Sequence, residues 1–180
     1  DGTLTIKNGA DVTIANDNPD ISATDKIVVQ NGAKNVKITL AGVNIDGTQP
    51  GVCAFDMDGA QVELILADDT KNILKSGSSA GLMVTGNAAL TLDGNGELEV
   101  KSGSPNAAGI GGNYYGTCGT ITINGGIITA TGENGAGIGS GNSGTGGGTI
   151  TINGGIIKAT STSATGGAGI GSGAYSENGI

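Results

Sequence analysis

Apolar and polar residues alternate in short runs along this chain. Clear runs are Val62, Leu64 and Leu66, then Leu90 and Leu92, then Ile121 and Ile123, then Ile150 and Ile152. Successive side chains of a β-strand point to opposite faces of the sheet, so a period of two predicts short strands with one buried face. Because no run longer than a turn has the spacing of a helix, the pattern predicts an all-β protein.

The runs belong to a repeat. Residues 119–126 (GTITINGG) return as residues 148–155, and the segment Ala-Gly-Ile-Gly begins at Ala108, Ala136 and Ala168. Three runs fit into each period of about 28 residues, and such repeats stack each strand on its counterpart about 4.8 Å away in the next coil. We therefore predict one domain over residues 1–180. It is a right-handed, single-stranded parallel β-helix (a β-solenoid) with three strands per coil and about six coils.

Pairs of Asn-Gly, Asp-Gly and Gly-Gly separate the runs. Asn and Gly tolerate the left-handed backbone conformation that a sharp corner requires. When the coils are aligned by the strand before each turn, Asp93, Asn124 and Asn153 fall in one column. We expect these side chains to form hydrogen bonds from coil to coil as a ladder.

The composition restricts both the core and the partners. One Phe, three Tyr and no Trp predict a thin, aliphatic core. The net charge of −8 excludes a nucleic-acid-binding surface, because such a surface needs clustered cations to neutralise phosphates. No apolar run approaches the ~20 residues of a membrane span, so we expect no membrane insertion. Cys53 and Cys118 lack metal-ligand spacing, which favours two buried free thiols.

Three segments carry a phrase similar to "strand, Leu-Ala-Asp-Gly-Thr-x-Asn-x-Leu": residues 36–45 (VKITLAGVNI), 62–74 (VELILADDTKNIL) and 89–98 (ALTLDGNGEL). In these phrases the chain resembles a family of secreted clostridial carbohydrate-binding β-helix proteins, with Asp69 where the phrase has glycine. The resemblance implies a pectate-lyase-like fold and calcium-associated binding of cellulose and pectin-like polymers without cleavage. From Ala108 onward, the Gly-Ile-Gly coils are more similar to generic repeats of bacterial surface proteins.

We do not expect an enzyme. A polysaccharide lyase of this fold needs a strong base beside calcium-bound substrate, commonly an arginine, and this chain has neither Arg nor His. Adjacent residues of a strand point to opposite faces, so Asp68 and Asp69 could not act as a convergent acid and base unless a turn reorients them. The histidine and the cationic cluster that a pectin hydrolase sets beside its aspartates are missing in either case.

Three tyrosines are the candidate carbohydrate-binding residues: Tyr114, Tyr115 and Tyr175. Sugar recognition usually places an aromatic ring against the apolar face of a pyranose. Counted from the Ala-Gly-Ile-Gly motifs, Tyr115 and Tyr175 occupy one column two coils apart, with Ser143 between them. Two coils span about 10 Å, which is near the spacing of alternate sugars in an extended β-linked chain. The alternative is that the tyrosines only cover a glycine-rich loop.

Calcium is the candidate cofactor, and its candidate ligands are Asp46, Asp56, Asp58, Asp68 and Asp69. Phe55 and Met57 are apolar, and if they are buried, Asp56 and Asp58 project from one face of the same strand. Asp46 falls in an expected loop, and the last two aspartates fall in the next turn. Calcium takes roughly 6 to 8 oxygen ligands, which carboxylates and turn carbonyls could supply. The alternative is a set of solvated surface aspartates.

The sequence favours a non-catalytic module that binds a cellulose- or pectin-like polysaccharide in a secreted or cell-surface bacterial protein. The main alternative is a structural stalk or adhesin repeat domain without a small ligand. An ice-binding protein is less favoured, because Lys37 and Glu63 interrupt the threonine array. The phase of the repeat at Ile180 is typical of a module within a larger polypeptide. Open solenoid ends expose unpaired strand edges, which favours end-to-end self-association.

Overall fold

The computed structural model describes residues 2–47, 49–145, 148–164 and 166–177. Within these residues every regular element is a β-strand, and every strand pair is parallel. The chain winds as a parallel β-helix of about six turns with three sheets. The predicted all-β parallel solenoid is therefore confirmed.

We name the sheets A, B and C in the order in which the chain reaches them. Sheet A contains β1 (Thr3–Ile6), β3 (Lys26–Val29), β6 (Phe55–Asp56), β9 (Leu82–Met83), β12 (Ile110–Gly111), β15 (Ile138–Gly139) and β18 (Ile170–Gly171). Sheet B contains β2 (Asp11–Ala15), β4 (Val36–Ala41), β7 (Gln61–Leu66), β10 (Ala89–Gly94), β13 (Thr120–Ile123) and β16 (Thr149–Ile152). Sheet C contains β5 (Asn44–Gly47), β8 (Lys71–Ser76), β11 (Glu97–Lys101), β14 (Ile127–Gly132) and β17 (Ile156–Ser161).

The core consists of aliphatic rows that run from coil to coil along the inner side of each sheet. One row of sheet B is Val12, Ile38, Leu64, Leu92, Ile123 and Ile152. Its central members are completely buried, whereas Ile152, in the last strand of the sheet, is 45% exposed. Complete burial of one such side chain contributes about 1.5–3 kcal/mol. The alternation seen in the sequence therefore lets each coil shield the side chains of its neighbours.

The first coil differs from the predicted three strands. Residues 16–25 connect β2 to β3 without a strand of sheet C, and in them only Ala23 forms an isolated bridge, with Ile45. Pro19 has no N–H to donate to a ladder. The side chains of Asn16 and Asn18 accept backbone N–H groups two residues further on, at 3.1 and 3.3 Å. Such local turns compete with strand pairing, so the prediction of three strands per coil is wrong for this coil.

The predicted asparagine ladder is confirmed for two of its three members. Asn153 Nδ2 donates to Asn124 Oδ1 at 2.9 Å, one coil away. Asp93 lies in the equivalent position of the preceding coil, but its Oδ1 accepts the N–H of Gly94 at 2.7 Å. The Asp93 carboxylate is thus engaged by the backbone of its own turn.

Asn72 is completely buried in the core, at an inward position of β8. Its Oδ1 accepts the N–H of Val43 at 2.9 Å, and its Nδ2 donates to the carbonyl oxygen of Glu97 at 3.2 Å. One side chain thus connects three successive coils. Burial of an amide is tolerated because these hydrogen bonds replace those it would make with water.

We expect Asn72→Ala to lower the free energy of unfolding by about 2 kcal/mol or more, because it leaves buried backbone groups without partners. Equilibrium urea denaturation measures the change. Asn95→Ala is the matched control, since exposed Asn95 makes one coil-to-coil bond, to Asp68 at 3.0 Å. Equal losses in the two variants would contradict the role assigned to Asn72.

Candidate functional site

The corner between sheets A and B repeats one backbone feature in every coil. Each turn there holds a residue in the left-handed conformation at one equivalent position: Gly9, Gly32, Gly59, Gly86, Tyr115, Ser143 and Tyr175. The turn after β3 holds Asn35 in this conformation as well, and the turn after β15 also holds Gly148. Glycine adopts this conformation without steric cost. Glycine occupies the first four positions, and the last three carry side chains. The candidate tyrosines therefore lie at a special place in the fold.

Tyr115, Ser143 and Tyr175 form one row along the solenoid axis, which confirms the predicted column. The N–H of Tyr115 donates to the carbonyl oxygen of Asn142 at 3.0 Å, and the N–H of Ser143 donates to that of Ala174 at 2.8 Å. Tyr115 is 63% exposed and Tyr175 is 73% exposed. Two coil spacings separate the tyrosines by about 10 Å. We call these three residues the tyrosine row.

The backbone conformation of the tyrosine row is unfavourable for large side chains. The φ angles are 59° for Tyr115 and 55° for Tyr175. A non-glycine residue held in this region costs of order 1–3 kcal/mol, and a bulky residue there is an outlier. Burial does not repay this cost, because most of each ring faces solvent.

Tyr114 and Tyr115 form a pair of exposed rings. Their ring centroids lie 3.9 Å apart with an interplanar angle of 36°, and the hydroxyl of Tyr114 donates to that of Tyr115 at 2.8 Å. This hydrogen bond raises the pKa of the Tyr114 hydroxyl. The pair combines apolar ring surface with hydroxyl groups, which is the combination that a sugar requires.

Side-chain amides that are buried or partly buried hold the turns that carry the tyrosine row. The Oδ1 of Asn113 accepts the N–H of Ala80 at 2.7 Å, and Asn142 Nδ2 donates to Asn106 Oδ1 at 2.8 Å. A Cβ placed at Gly141 would lie 1.9 Å from the carbonyl oxygen of Asn113. The turns are therefore packed backbone against backbone, and this packing fixes the backbone positions from which the tyrosine side chains extend.

Two surface cavities lie in line along the start of sheet B, beside the same corner. One, of about 480 Å³, lies between Lys37, Gln61, Glu63 and Thr91; the other, of about 380 Å³, lies between Asn87, Thr117, Thr120 and Thr149. Ala88 borders the second cavity and Ala89 borders the first, so the two are contiguous along the chain. We call them together the corner trough. The turn of Tyr115 leads directly into its Thr117 side.

Threonines form part of the outer face of sheet B. Thr91, Thr122 and Thr151 share one row, and Thr120 and Thr149 share the next. The first row continues into Glu63 and Lys37, whose Oε1 and Nζ lie 3.9 Å apart. The predicted interruption of the threonine array is confirmed, because an ion pair occupies the place of two hydroxyls.

Asp56 and Asp58 are brought together, but they do not share one strand as predicted, because β6 ends at Asp56 and Asp58 lies in the turn that follows. Phe55 and Met57 are completely buried, and the Oδ1 of Asp56 accepts the N–H of Asp58 at 3.0 Å. The carboxylate of Asp58 accepts hydrogen bonds from Asn31 Nδ2 at 3.2 Å and from Thr85 Oγ1. Hydrogen bonds from neighbouring coils thus already engage the Asp58 side chain.

The other candidate metal ligands lie elsewhere. Asp68 and Asp69 are exposed in the turn between β7 and β8, as predicted. Asp69 has a φ of 57°, which lies in the left-handed region that favours glycine. Glycine is the residue at this place in the family phrase described above. The prediction that Asp46 lies in a loop is wrong. It lies in β5, because the segment pairs with β8 and places Asp46 beside Lys75.

Within the described ranges, no three His, Cys, Asp or Glu side chains come close enough to hold a metal ion together. The five aspartates are divided between the corner of sheets A and B, the turn after β7 and the outer face of sheet C. The Oδ1 atom of Asp46 is buried and has no hydrogen-bond partner. Calcium binding therefore stays a prediction from the sequence.

Burial raises the pKa of Asp56, since desolvation disfavours the ionised carboxylate in the folded protein. The folded state is then favoured when Asp56 is protonated, and this contribution is lost as pH rises from about 3.8 through the raised value. We expect Asp56→Asn to increase the free energy of unfolding at pH 7 and to leave it unchanged at pH 3. Urea midpoints at the two pH values test this, with exposed Asp20→Asn as the control. A variant less stable than the wild type at pH 7 would contradict it.

Both cysteines are free and buried, as predicted. Burial raises the pKa of the Cys53 thiol to about 12 and that of Cys118 to about 11. The thiolate is the reactive form of cysteine, so neither side chain is suited to nucleophilic chemistry.

We expect neither cysteine to react with a thiol-specific reagent at pH 8 in the native protein, and both to react once urea unfolds the chain. Absorbance of the released chromophore gives the number of accessible thiols. Rapid labelling of either thiol without denaturant would contradict the burial.

Sequence reasoning missed two parts of this surface. The buried amide of Asn142 and the partly buried amides of Asn106 and Asn113 carry no periodic signal, because they lie in glycine-rich turns that resemble surface loops. The column of Lys37, Glu63 and Thr91 was visible in the sequence as the interruption of the threonine array, but the trough that Gln61 borders beside it was not.

Comparisons of this chain with protein-family models, with curated proteins and with solved structures found no match. Among the described residues there is no helix with the length and apolar character needed to cross a membrane.

Proposed function

We propose that this protein is a non-catalytic carbohydrate-binding module of a secreted or surface-displayed bacterial protein. In this proposal Tyr114, Tyr115 and Tyr175 bind sugar rings of an extended polysaccharide. The observation that carries it is the tyrosine row. Two exposed aromatic residues lie two coils apart in a backbone conformation that glycine provides in the equivalent turns of earlier coils.

The conformational free energy that the tyrosine row costs supports a role in ligand binding rather than in stabilising the fold. Residues in unfavourable backbone conformations cluster at sites where a ligand uses them. An aromatic ring at this position adds little buried area to the protein itself, since Tyr175 is 73% exposed. Ring faces that are free toward solvent are instead available to the apolar face of a pyranose.

The charge of the protein favours a neutral polymer over an acidic one. The net charge of −8 repels a polyuronate. We therefore expect cellulose oligomers to bind in the presence of calcium or of EDTA, and polygalacturonate to bind only where calcium bridges the two negative surfaces. A titration of each polymer in both conditions, at one ionic strength, compares these cases. A structural stalk would give no saturable binding in any of them.

We expect Tyr115→Asn and Tyr175→Asn each to weaken the affinity for cellulose oligomers about tenfold or more, as is usual for aromatic contact residues. Asparagine tolerates the left-handed conformation. The free energy of unfolding should therefore stay equal or rise by up to about 1 kcal/mol. Calorimetric titration and urea denaturation measure the two quantities.

Ile156→Ala provides the matched control for these tyrosine variants. Ile156 is 69% exposed and lies on sheet C, away from the tyrosine row. Its truncation removes a similar exposed apolar surface and should leave sugar affinity unchanged. Wild-type affinity in both tyrosine variants would overturn the proposed site, and no saturable binding by the wild type would favour the stalk.

A further inference from the structure

We propose that the binding site extends from the tyrosine row along the corner trough to Lys37, Gln61 and Glu63. A neutral polysaccharide chain then lies parallel to the solenoid axis and contacts six successive coils. This inference rests on the proposed function, because it assigns to the same ligand a second region of contact. It identifies trough residues that determine the length and the charge of the preferred polymer.

The register of sheet B makes the trough straight. Gln61, Ala89, Thr120 and Thr149 are directly paired in that order, one residue from each coil. The trough therefore follows the solenoid axis for about 15 Å between the first and last of these positions. Addition of the coil of Lys37 and the coil of Tyr175 extends the surface to about 24 Å.

The middle of the trough is open because its outward residue is small. Ala89 stands between Gln61 and Thr120 in the row, and the turn before it ends in buried Ala88. A Cβ placed at Gly119 would lie 2.3 Å from the carbonyl oxygen of Ala88. The floor of the trough is therefore closely packed backbone.

The far end of the trough provides a donor and an acceptor side by side. Lys37 Nζ and Glu63 Oε1 lie 3.9 Å apart, which is longer than a hydrogen bond, and both side chains are about half exposed. The ammonium group has three donors, and the carboxylate has several acceptor positions. Such a pair can bind neighbouring hydroxyl groups of one sugar ring. Exposed Gln61 adds an amide in the same coil as Glu63.

The charges at this end favour a neutral ligand. Asp11 and Glu63 are the register partners of Lys37 on either side. Lys37, the one cation among the described residues that border the trough, is therefore flanked by two carboxylates. A uronate placed there would meet more negative than positive charge. Hydroxyl groups have no such penalty, since each can donate to a carboxylate and accept from an ammonium group.

Ligand length tests the extension, with cellotriose and cellohexaose as probes for calorimetric titration of the whole chain. The tyrosine row alone can hold the short probe, whereas the long probe reaches the trough. We expect cellohexaose to bind the wild type at least about tenfold more tightly than cellotriose. Lys37→Ala and Gln61→Ala should each weaken cellohexaose binding about fivefold and leave cellotriose binding unchanged.

A steric variant tests the path of the ligand without removal of a polar contact. Ala89→Phe should fill the middle of the trough and reduce the affinity for cellohexaose to that for cellotriose. The controls are Thr129→Phe, which places the same ring on the outer face of sheet C, and Lys71→Ala, which removes an ion-paired lysine of that sheet. Both controls should bind cellohexaose like the wild type.

The outcomes separate this inference from the proposed function. Equal affinity for the two probes, or trough variants that behave like the sheet C controls, would overturn the extension even if Tyr115→Asn abolishes binding. Binding of neither probe to the wild type would overturn both. Tighter binding of trigalacturonate than of cellotriose in EDTA would overturn the preference for a neutral ligand.

Discussion

Each interior strand of the three sheets is held by hydrogen bonds to the equivalent strand of the coil before it and of the coil after it. This parallel ladder fixes the distance between coils at about 4.8 Å. It also requires equivalent residues to stand directly above one another. Extra residues can therefore be accommodated only at the corners, as in the loop of residues 16–25 and in the segment from Gly116 to Gly119. The regular faces and the irregular corners both follow from this one constraint.

Because equivalent residues of successive coils stack along the solenoid axis, a residue type that recurs at one position of the repeat forms a row along the protein. The same rule places leucines and isoleucines in the inner rows, asparagines in the Asn124–Asn153 ladder and aromatic rings in the tyrosine row. A ligand with a regular repeat can contact such rows at several equivalent points. An extended polysaccharide has this property, and the spacing of the rows is set by the backbone rather than by side-chain flexibility.

The thin core leaves the protein little buried volume in which to build a site. Buried Asn72 and Ser76 instead bind backbone groups with their side chains, and buried Asn142 donates to the side chain of Asn106. They hold the turns in place, and the exposed side chains of those turns are then free to serve a ligand. Tyr115 and Tyr175 are an example, because their left-handed backbone conformation lowers the stability of the fold while it places an exposed aromatic ring on the surface.

The sequence by itself determined the strands, the coil length, the burial of both cysteines and the common row of Tyr115 and Tyr175. These features depend on alternation and repeat spacing, which are properties of residues close together in the chain. Only the tertiary structure decided that Asp46 lies in a strand, that the first coil lacks a strand of sheet C, and that Lys37, Gln61 and Glu63 border one trough. Those features depend on which residues of different coils are paired, and pairing is set by the length of each corner and by the hydrogen-bond ladder. Local patterning specifies the repeating unit, whereas the register between units creates the surface.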